Sequence, residues 1–182
     1  MKSETKYLIV GNSVAAIAAV SGIREVDEDG AITLVAREPQ HTYSRPLITY
    51  LLGGKVGPEQ MHYRPLDWYE QMGVQARLGI EVTHVDPEAH TVHTADGDEI
   101  GYERLLIAVG GRPIVPADVQ GVDAEGVFTF TTWADADAIK AFIDEQDIDS
   151  AVVVGGGLIG LKSVEALLAL GIRTTVVELA DR

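Results

Sequence analysis

Three glycines late in the sequence carry the most chemistry: Gly155, Gly157 and Gly160 stand as G-x-G-x-x-G. They follow the apolar run Ala151-Val152-Val153-Val154 and precede Leu161 to Leu170, whose spacing predicts an amphipathic helix ending at Gly171. A strand, tight turn and helix in this order can cradle a dinucleotide pyrophosphate. The first glycine allows the turn, the second lets the backbone approach the phosphates, and the third lets helix and strand pack closely. Amides at the helix start, those of Leu158 and Ile159, then face the phosphates along the helix dipole. Thr174 to Val177 predicts the next strand, closed by Glu178 at 18 residues beyond Gly160 (178 − 160). That is near the ~20-residue spacing of the acid that binds adenosine ribose hydroxyls. A carboxylate accepts both hydroxyls but repels a 2′-phosphate, which favours NADH over NADPH. Arg173 precedes this strand and reads as a solvated charge.

A second, degenerate copy opens the sequence. Lys6-Tyr7-Leu8-Ile9-Val10 reads as a strand buried on both faces, and Val14 to Ile23 as a helix with Ile17, Val20 and Ile23 on one side. The turn between them is Gly11-Asn12-Ser13-Val14-Ala15-Ala16, with Ser13 and Ala16 where the second and third glycines would stand. Ile32-Thr33-Leu34-Val35 predicts the next strand. Its ribose position is ambiguous: Ala36 or Arg37 occupies it, and Glu38 falls one or two places later. Taken alone, this copy reads equally as a nucleotide site or as a plain α/β core.

The elements between the two copies must place them. Short β-prone runs around Val82, Val85, Thr91, Val92, Ile100 and Leu105 to Ala108 are separated by Pro87-Glu88-Ala89 and Asp96-Gly97-Asp98. They predict a small antiparallel β-meander that feeds a strand back into the main sheet. Asp96, Asp98 and Glu99 lack the twelve-residue calcium-loop pattern and read as a solvated turn. His84, His90 and His93 have no partner acid or serine at a recognisable spacing, so no metal site is assigned. Trp68 and Tyr69 read as packing residues, and Asp135 as a cap for the helix that runs to about Gln146.

Two dinucleotide turns in one chain suggest two adenine dinucleotides. Here the sequence resembles the FAD- and NAD-dependent pyridine nucleotide oxidoreductases. The nearest branch is the cysteine-free group that includes rubredoxin reductase, ferredoxin reductases and the flavin part of NADH-dependent nitrite reductase. Four stretches carry the resemblance: Gly11–Ala16, Tyr43-Ser44-Arg45-Pro46-Leu47, Leu105 to Pro113, and Gly155–Glu178. It implies that Gly11, Asn12, Ser13, Val14, Ala15 and Ala16 hold the FAD pyrophosphate, with Arg37 and Glu38 at its ribose. It places Arg45 and Pro46 in a loop near the flavin, where a cation could stabilise the reduced ring or hold phosphate. Val82 is carried over as a backbone contact to adenine. Ala108, Gly110 and Arg112 belong to the run that lies over FAD, in which Val109 replaces the usual Thr. Gly155, Gly157, Leu158, Ile159 and Glu178 are carried over as the NAD(H) site.

The implied fold is α/β. A Rossmann-like FAD-binding domain with its meander spans 1–113 and is incomplete without a carboxy-terminal return segment. The start of a second Rossmann-like, NAD-binding domain spans 114–182, with Pro113 and Pro116 at the crossing. The implied reaction is hydride transfer from NADH to FAD, with electrons passed to a protein or small-molecule acceptor. A rubredoxin, a ferredoxin or another redox protein suits that role. The cofactors supply this chemistry, so no residue is assigned as catalytic.

Composition narrows these classes. The 182 residues hold no cysteine, which removes disulfides, thiolate metal sites and a thiol beside the flavin. A net charge of −14, from 14 Lys+Arg against 28 Asp+Glu, argues against nucleic acid as partner. The apolar run Tyr7 to Ile23 is shorter than the ~20 residues of a spanning helix and is interrupted by Gly11, Asn12 and Ser13. A soluble cytoplasmic protein with no membrane association is therefore expected. Family members of full length continue for about as many residues again. The expected alternative is a non-catalytic binding or assembly piece, a split subunit or truncated fragment that needs a partner chain for its missing half. A single-Rossmann dehydrogenase or methyltransferase accounts for neither the second turn nor the Tyr-Ser-Arg-Pro-Leu loop.

Overall fold

The computed structural model of the protein describes residues 2–115 and 119–181, so Pro116 lies outside the described residues. The chain divides into two compact units, Met1–Tyr43 with His62–Gly111, and Ser44–Met61 with Arg112–Arg182.

The first unit is a six-stranded sheet. Its strands are β1 (Lys2–Val10), β2 (Ile32–Ala36), β3 (Val74–Leu78), β4 (Val82–Asp86), β5 (Thr91–Thr94) and β6 (Glu99–Ile107). Their order in space is β3-β2-β1-β6-β5-β4. Strands β3, β2, β1 and β6 run parallel, whereas β5 pairs antiparallel with both β6 and β4. The meander is thus present and returns its last strand beside β1, as its sequence predicts. Strand β3 was not foreseen as the third parallel strand.

Alternation along the strands sorts the side chains to two faces. Ile9, Ile32 and Leu34 pack with Ala16, Ile17 and Val20 of helix α1 (Val14–Val26) and with Trp68 and Tyr69 of helix α3 (Trp68–Gln71). Leu8 and Val35 face the other way, toward Val92 and Ile100 of the meander. Both faces are covered at the end of β1 and along β2, which is why Leu8-Ile9-Val10 and Ile32 to Ala36 are buried and largely apolar. Arg77 on β3 pairs with Asp98 at 2.7 Å and Asp96 at 3.1 Å, so the acidic turn is tied down by one guanidinium.

The second unit holds helix α2 (Ile48–Leu52), helix α4 (Trp133–Gln146), strand β7 (Ser150–Val154), helix α5 (Leu158–Ala169) and strand β8 (Arg173–Val177). Strands β7 and β8 are parallel neighbours joined through α5. Residues 44–61, which the sequence reading keeps with 1–113, belong here because α2 packs on α4 and α5. Gly53 permits that approach: a Cβ on it would stand 3.3 Å from Ala166 Cα. The cap of α4 is Thr132, whose hydroxyl accepts the Asp135 amide; Asp135 answers by accepting the amides of Thr131 and Thr132. Asp135 therefore stands three residues inside the helix, in the return half of a capping box. Among the described residues no helix is long and apolar enough to cross a membrane.

Candidate functional site

Each unit builds a turn at the carboxyl end of a parallel strand, and the two turns share a backbone hydrogen bond and a glycine at positive φ. The Gly11 amide donates to Val35 O at 2.8 Å, and the Gly155 amide to Val177 O at 2.8 Å. Both glycines sit at positive φ, +121° and +103°, where side chains are strained. A Cβ on Gly11 would collide with the carbonyl oxygen of Ala108, whose own amide donates to Val10 O at 2.7 Å. A Cβ on Gly160 would collide in the same way with the carbonyl oxygen of Gly155. The first turn replaces that third glycine with Ala16, which is fully buried.

The helix starts are left open for an anion. Ser13 and Gly157 occupy the cap positions of α1 and α5 in extended conformation, and neither makes a side-chain capping bond. The first helical turns, which include Val14, Ala15, Leu158 and Ile159, contain no acid. The early amides of each helix therefore keep their hydrogen-bonding capacity, and no carboxylate competes for the positive end of the dipole. Such a cradle suits a pyrophosphate.

Register aligns the ends of the strands that follow the two turns. Val10 pairs with Val35 and Val154 with Val177, so the residue corresponding to Glu178 is Ala36. Glu178 is exposed, and its carboxylate accepts the Gly156 amide at 2.6 Å and the Ala180 amide at 2.8 Å. Backbone donation from Ala180, then Gly156 and Leu179, holds the Glu178 carboxyl below the usual carboxylate range. Ala36 is buried and offers no polar group. Arg37 is exposed, and Glu38, half-buried, accepts the Tyr43 hydroxyl at 2.5 Å.

Around the first turn lies a polar layer that sequence reasoning missed. Asn12 Nδ2 donates to Gln40 O at 3.1 Å, and Asn12 Oδ1 accepts from the Tyr69 hydroxyl. The Tyr69 oxygen in turn accepts the Thr42 amide at 3.2 Å. The signal was present: a buried tyrosine, unlike phenylalanine, needs a partner for its hydroxyl. In the same stretch Gln40 Oε1, His41 Nε2 and Thr42 Oγ1 are buried without hydrogen-bond partners. Buried polar atoms of this kind call for a bound molecule or water. Burial lowers the His41 pKa.

The remaining predicted residues stand as follows. Val82 is half-buried on β4, Ala108 half-buried beside Gly11, and Gly110 exposed at φ +70°. Arg45, Pro46 and Arg112 belong to the second unit. Arg45 opens a short 3₁₀ turn and donates to Thr131 O at 2.8 Å, whereas Arg112 is exposed.

Comparison with known proteins gives this geometry a lineage. Residues 5–182 match the pyridine nucleotide-disulphide oxidoreductase family. The chain is 34% identical over 178 residues to the NADH-dependent phenylglyoxylate dehydrogenase subunit epsilon of Aromatoleum evansii, covering 98% of this chain and 42% of that one. It is 33% identical to a 5,5'-dehydrodivanillate O-demethylase ferredoxin reductase subunit of a Sphingobium species, covering 96% and 42%. Among solved structures, an NAD-dependent persulfide reductase from A. fulgidus superposes with a TM-score of 0.87 at 32% identity, covering 100% of this chain and 34% of that one. The chain spans less than half the length of these relatives. With both glycine turns and the intervening meander inside the matched span, the chain belongs to the pyridine nucleotide-disulphide oxidoreductase family.

Proposed function

We propose that the chain serves an NADH-dependent flavoprotein reductase, binding FAD at its first turn and NAD(H) at its second. The observation that carries this reading is the duplicated turn: two glycines at positive φ, each bonded to the strand beside it, each opening a helix without acid in its first turn. Glu178 gives the second turn a ribose-binding carboxylate and disfavours a 2′-phosphate. In the first turn the amides of residues 13–15 would hold the pyrophosphate, and Gln40, His41 and Thr42 would offer further buried polar atoms to the same cofactor. Arg45, Pro46, Val82, Ala108, Gly110 and Arg112 are proposed as further FAD contacts, as the resemblance implies.

When bound, the cofactors supply hydride transfer from NADH to the flavin and onward delivery of two electrons to an acceptor. This chain's own residues bind and orient the two nucleotides. No cysteine is present to relay electrons through a thiol, so a redox protein such as rubredoxin or ferredoxin, or a small molecule, is the proposed acceptor. The proposed location is the cytoplasm.

A second reading rests on the second unit. Val152, Val154 and Val177 on the two-stranded sheet are 64%, 83% and 52% exposed, which marks a surface suited to further apolar packing. On this reading the chain is a nucleotide-binding assembly piece, active only with a chain that completes it. One experiment separates the two. The purified protein is scanned in the visible range and then given NADH without oxygen. A yellow protein that bleaches supports the reductase; a colourless protein that FAD cannot reconstitute overturns independent flavin chemistry and leaves the assembly reading.

A further inference from the structure

The two turns share the glycine hydrogen bond to the neighbouring strand but are held by different means. In the second, Gly156 has no side chain, and Glu178 Oε2 takes its amide at 2.6 Å. That carboxylate is the group proposed for the ribose, so the arriving nucleotide competes for it. In the first turn the corresponding residue is Asn12, and both ends of its side chain are engaged.

The direction of each bond follows by elimination. The Gln40 carbonyl can only accept, so the amide nitrogen of Asn12 must face it. Asn12 Oδ1 then faces Tyr69 and can only accept, so the phenol hydroxyl donates. A lone pair on the same hydroxyl receives the Thr42 amide at 3.2 Å. One hydroxyl and one amide thus clamp the turn to the loop after β2 at two points, residues 40 and 42. The clamp is sheltered: Tyr69 is 8% exposed and Thr42 is fully buried.

We propose that Tyr69 is a positioning residue for the first turn. Through Asn12 it keeps residues 11–15 in nucleotide-binding shape before any ligand arrives. The proposal rests on the reading that the first turn takes FAD. Its physical basis is preorganisation, since a turn already ordered loses less conformational freedom on binding. The bland role for Tyr69 is packing, and its ring does lie 5.6 Å from Trp68 and 4.5 Å from His41. Phenylalanine would keep those contacts and remove only the hydroxyl.

Two variants of the full chain test this. Tyr69→Phe deletes the clamp's hydroxyl. Asn12→Asp keeps an acceptor for Tyr69 but sets a second acceptor against the Gln40 carbonyl. Backbone amide order parameters are measured first, without ligand. Residues 11–15 are expected near ~0.85 in the unaltered chain and below ~0.6 in both variants, with β1 and β2 unchanged in all three. FAD affinity, read by flavin fluorescence, is expected to weaken about tenfold in Tyr69→Phe, about 1.4 kcal/mol, with NADH affinity unchanged. A merely structural role lowers the melting temperature and moves neither reading well below it. A Tyr69→Phe turn as rigid as the original overturns the proposal, as does a loosened turn with undiminished FAD affinity. If the unaltered chain takes up no FAD, the flavin reading fails, and the order parameters alone decide whether Tyr69 holds the turn.

Discussion

A methyl group on Gly160 would land on the carbonyl oxygen of Gly155, so helix α5 and the end of β7 approach as closely as backbones allow. The same helix position in the first unit is Ala16, which accepts its methyl without rearrangement. Gly160→Ala is therefore expected to cost about 1–3 kcal/mol by overpacking and to weaken NADH binding. Ala16→Gly is expected to cost only about 0.5–1 kcal/mol through chain entropy. Gly11→Ala combines positive φ with a collision at Ala108 O and should cost at least as much as Gly160→Ala. Thermal denaturation ranks the three; an Ala16→Gly effect as large as that of Gly160→Ala would contradict this geometry.

Glu178 should set the choice between nicotinamide cofactors. Its carboxylate stands at the end of β8, held by two backbone amides. Glu178→Ala removes both the ribose acceptor and the charge that opposes a 2′-phosphate. The expected outcome is weaker NADH binding and a preference for NADH over NADPH narrowed about tenfold, about 1.4 kcal/mol. Titration of each cofactor against both proteins measures the ratio, and an unchanged ratio removes Glu178 from the ribose site.

Much of this architecture was legible because it is local. Each β-α-β unit is written in one continuous stretch, as an apolar run, a glycine turn and a helix of different period. The meander was legible for the same reason, through its turn residues. What depends on distant partners was not. Val74-Gln75-Ala76-Arg77-Leu78 alternates in polarity and hides a parallel edge strand, and Arg77 sits there because Asp96 and Asp98 receive it. That Ala36 is the counterpart of Glu178 needed the register of Val10 with Val35. Tyr69 showed its aromatic bulk in sequence, but its bond to Asn12 spans 57 residues.

Acid should loosen the first unit through Asp27. The Lys6 ammonium, bonded at 2.6 Å, together with the Tyr7 hydroxyl and the Gly30 amide, lowers the Asp27 carboxyl from 3.8 to about 2. The folded value lies below the unfolded one, so this contribution is fully present above about pH 4. It is lost as pH falls toward about 2. Urea midpoints across that window should decline more steeply for the original chain than for Asp27→Asn. Parallel curves would show that Asp27 does not link folding to pH.

Salt should stabilise this protein. With 28 acidic against 14 basic residues the folded chain repels itself. Opposing this, exposed ion pairs such as Lys140–Asp144 and Arg173–Asp149 weaken when screened. Such pairs contribute roughly 0–1 kcal/mol each, whereas the excess of like charge acts on every acidic side chain at once. Raising ionic strength from 0.01 to 0.15 M shortens the screening length from about 30 Å to about 8 Å. Over that interval the melting temperature is expected to rise by about 2–4 °C. Replacing sodium chloride with an uncharged osmolyte of equal osmolality should not reproduce the rise at low salt. A melting temperature that falls with salt would mean that the surface ion pairs outweigh the net repulsion.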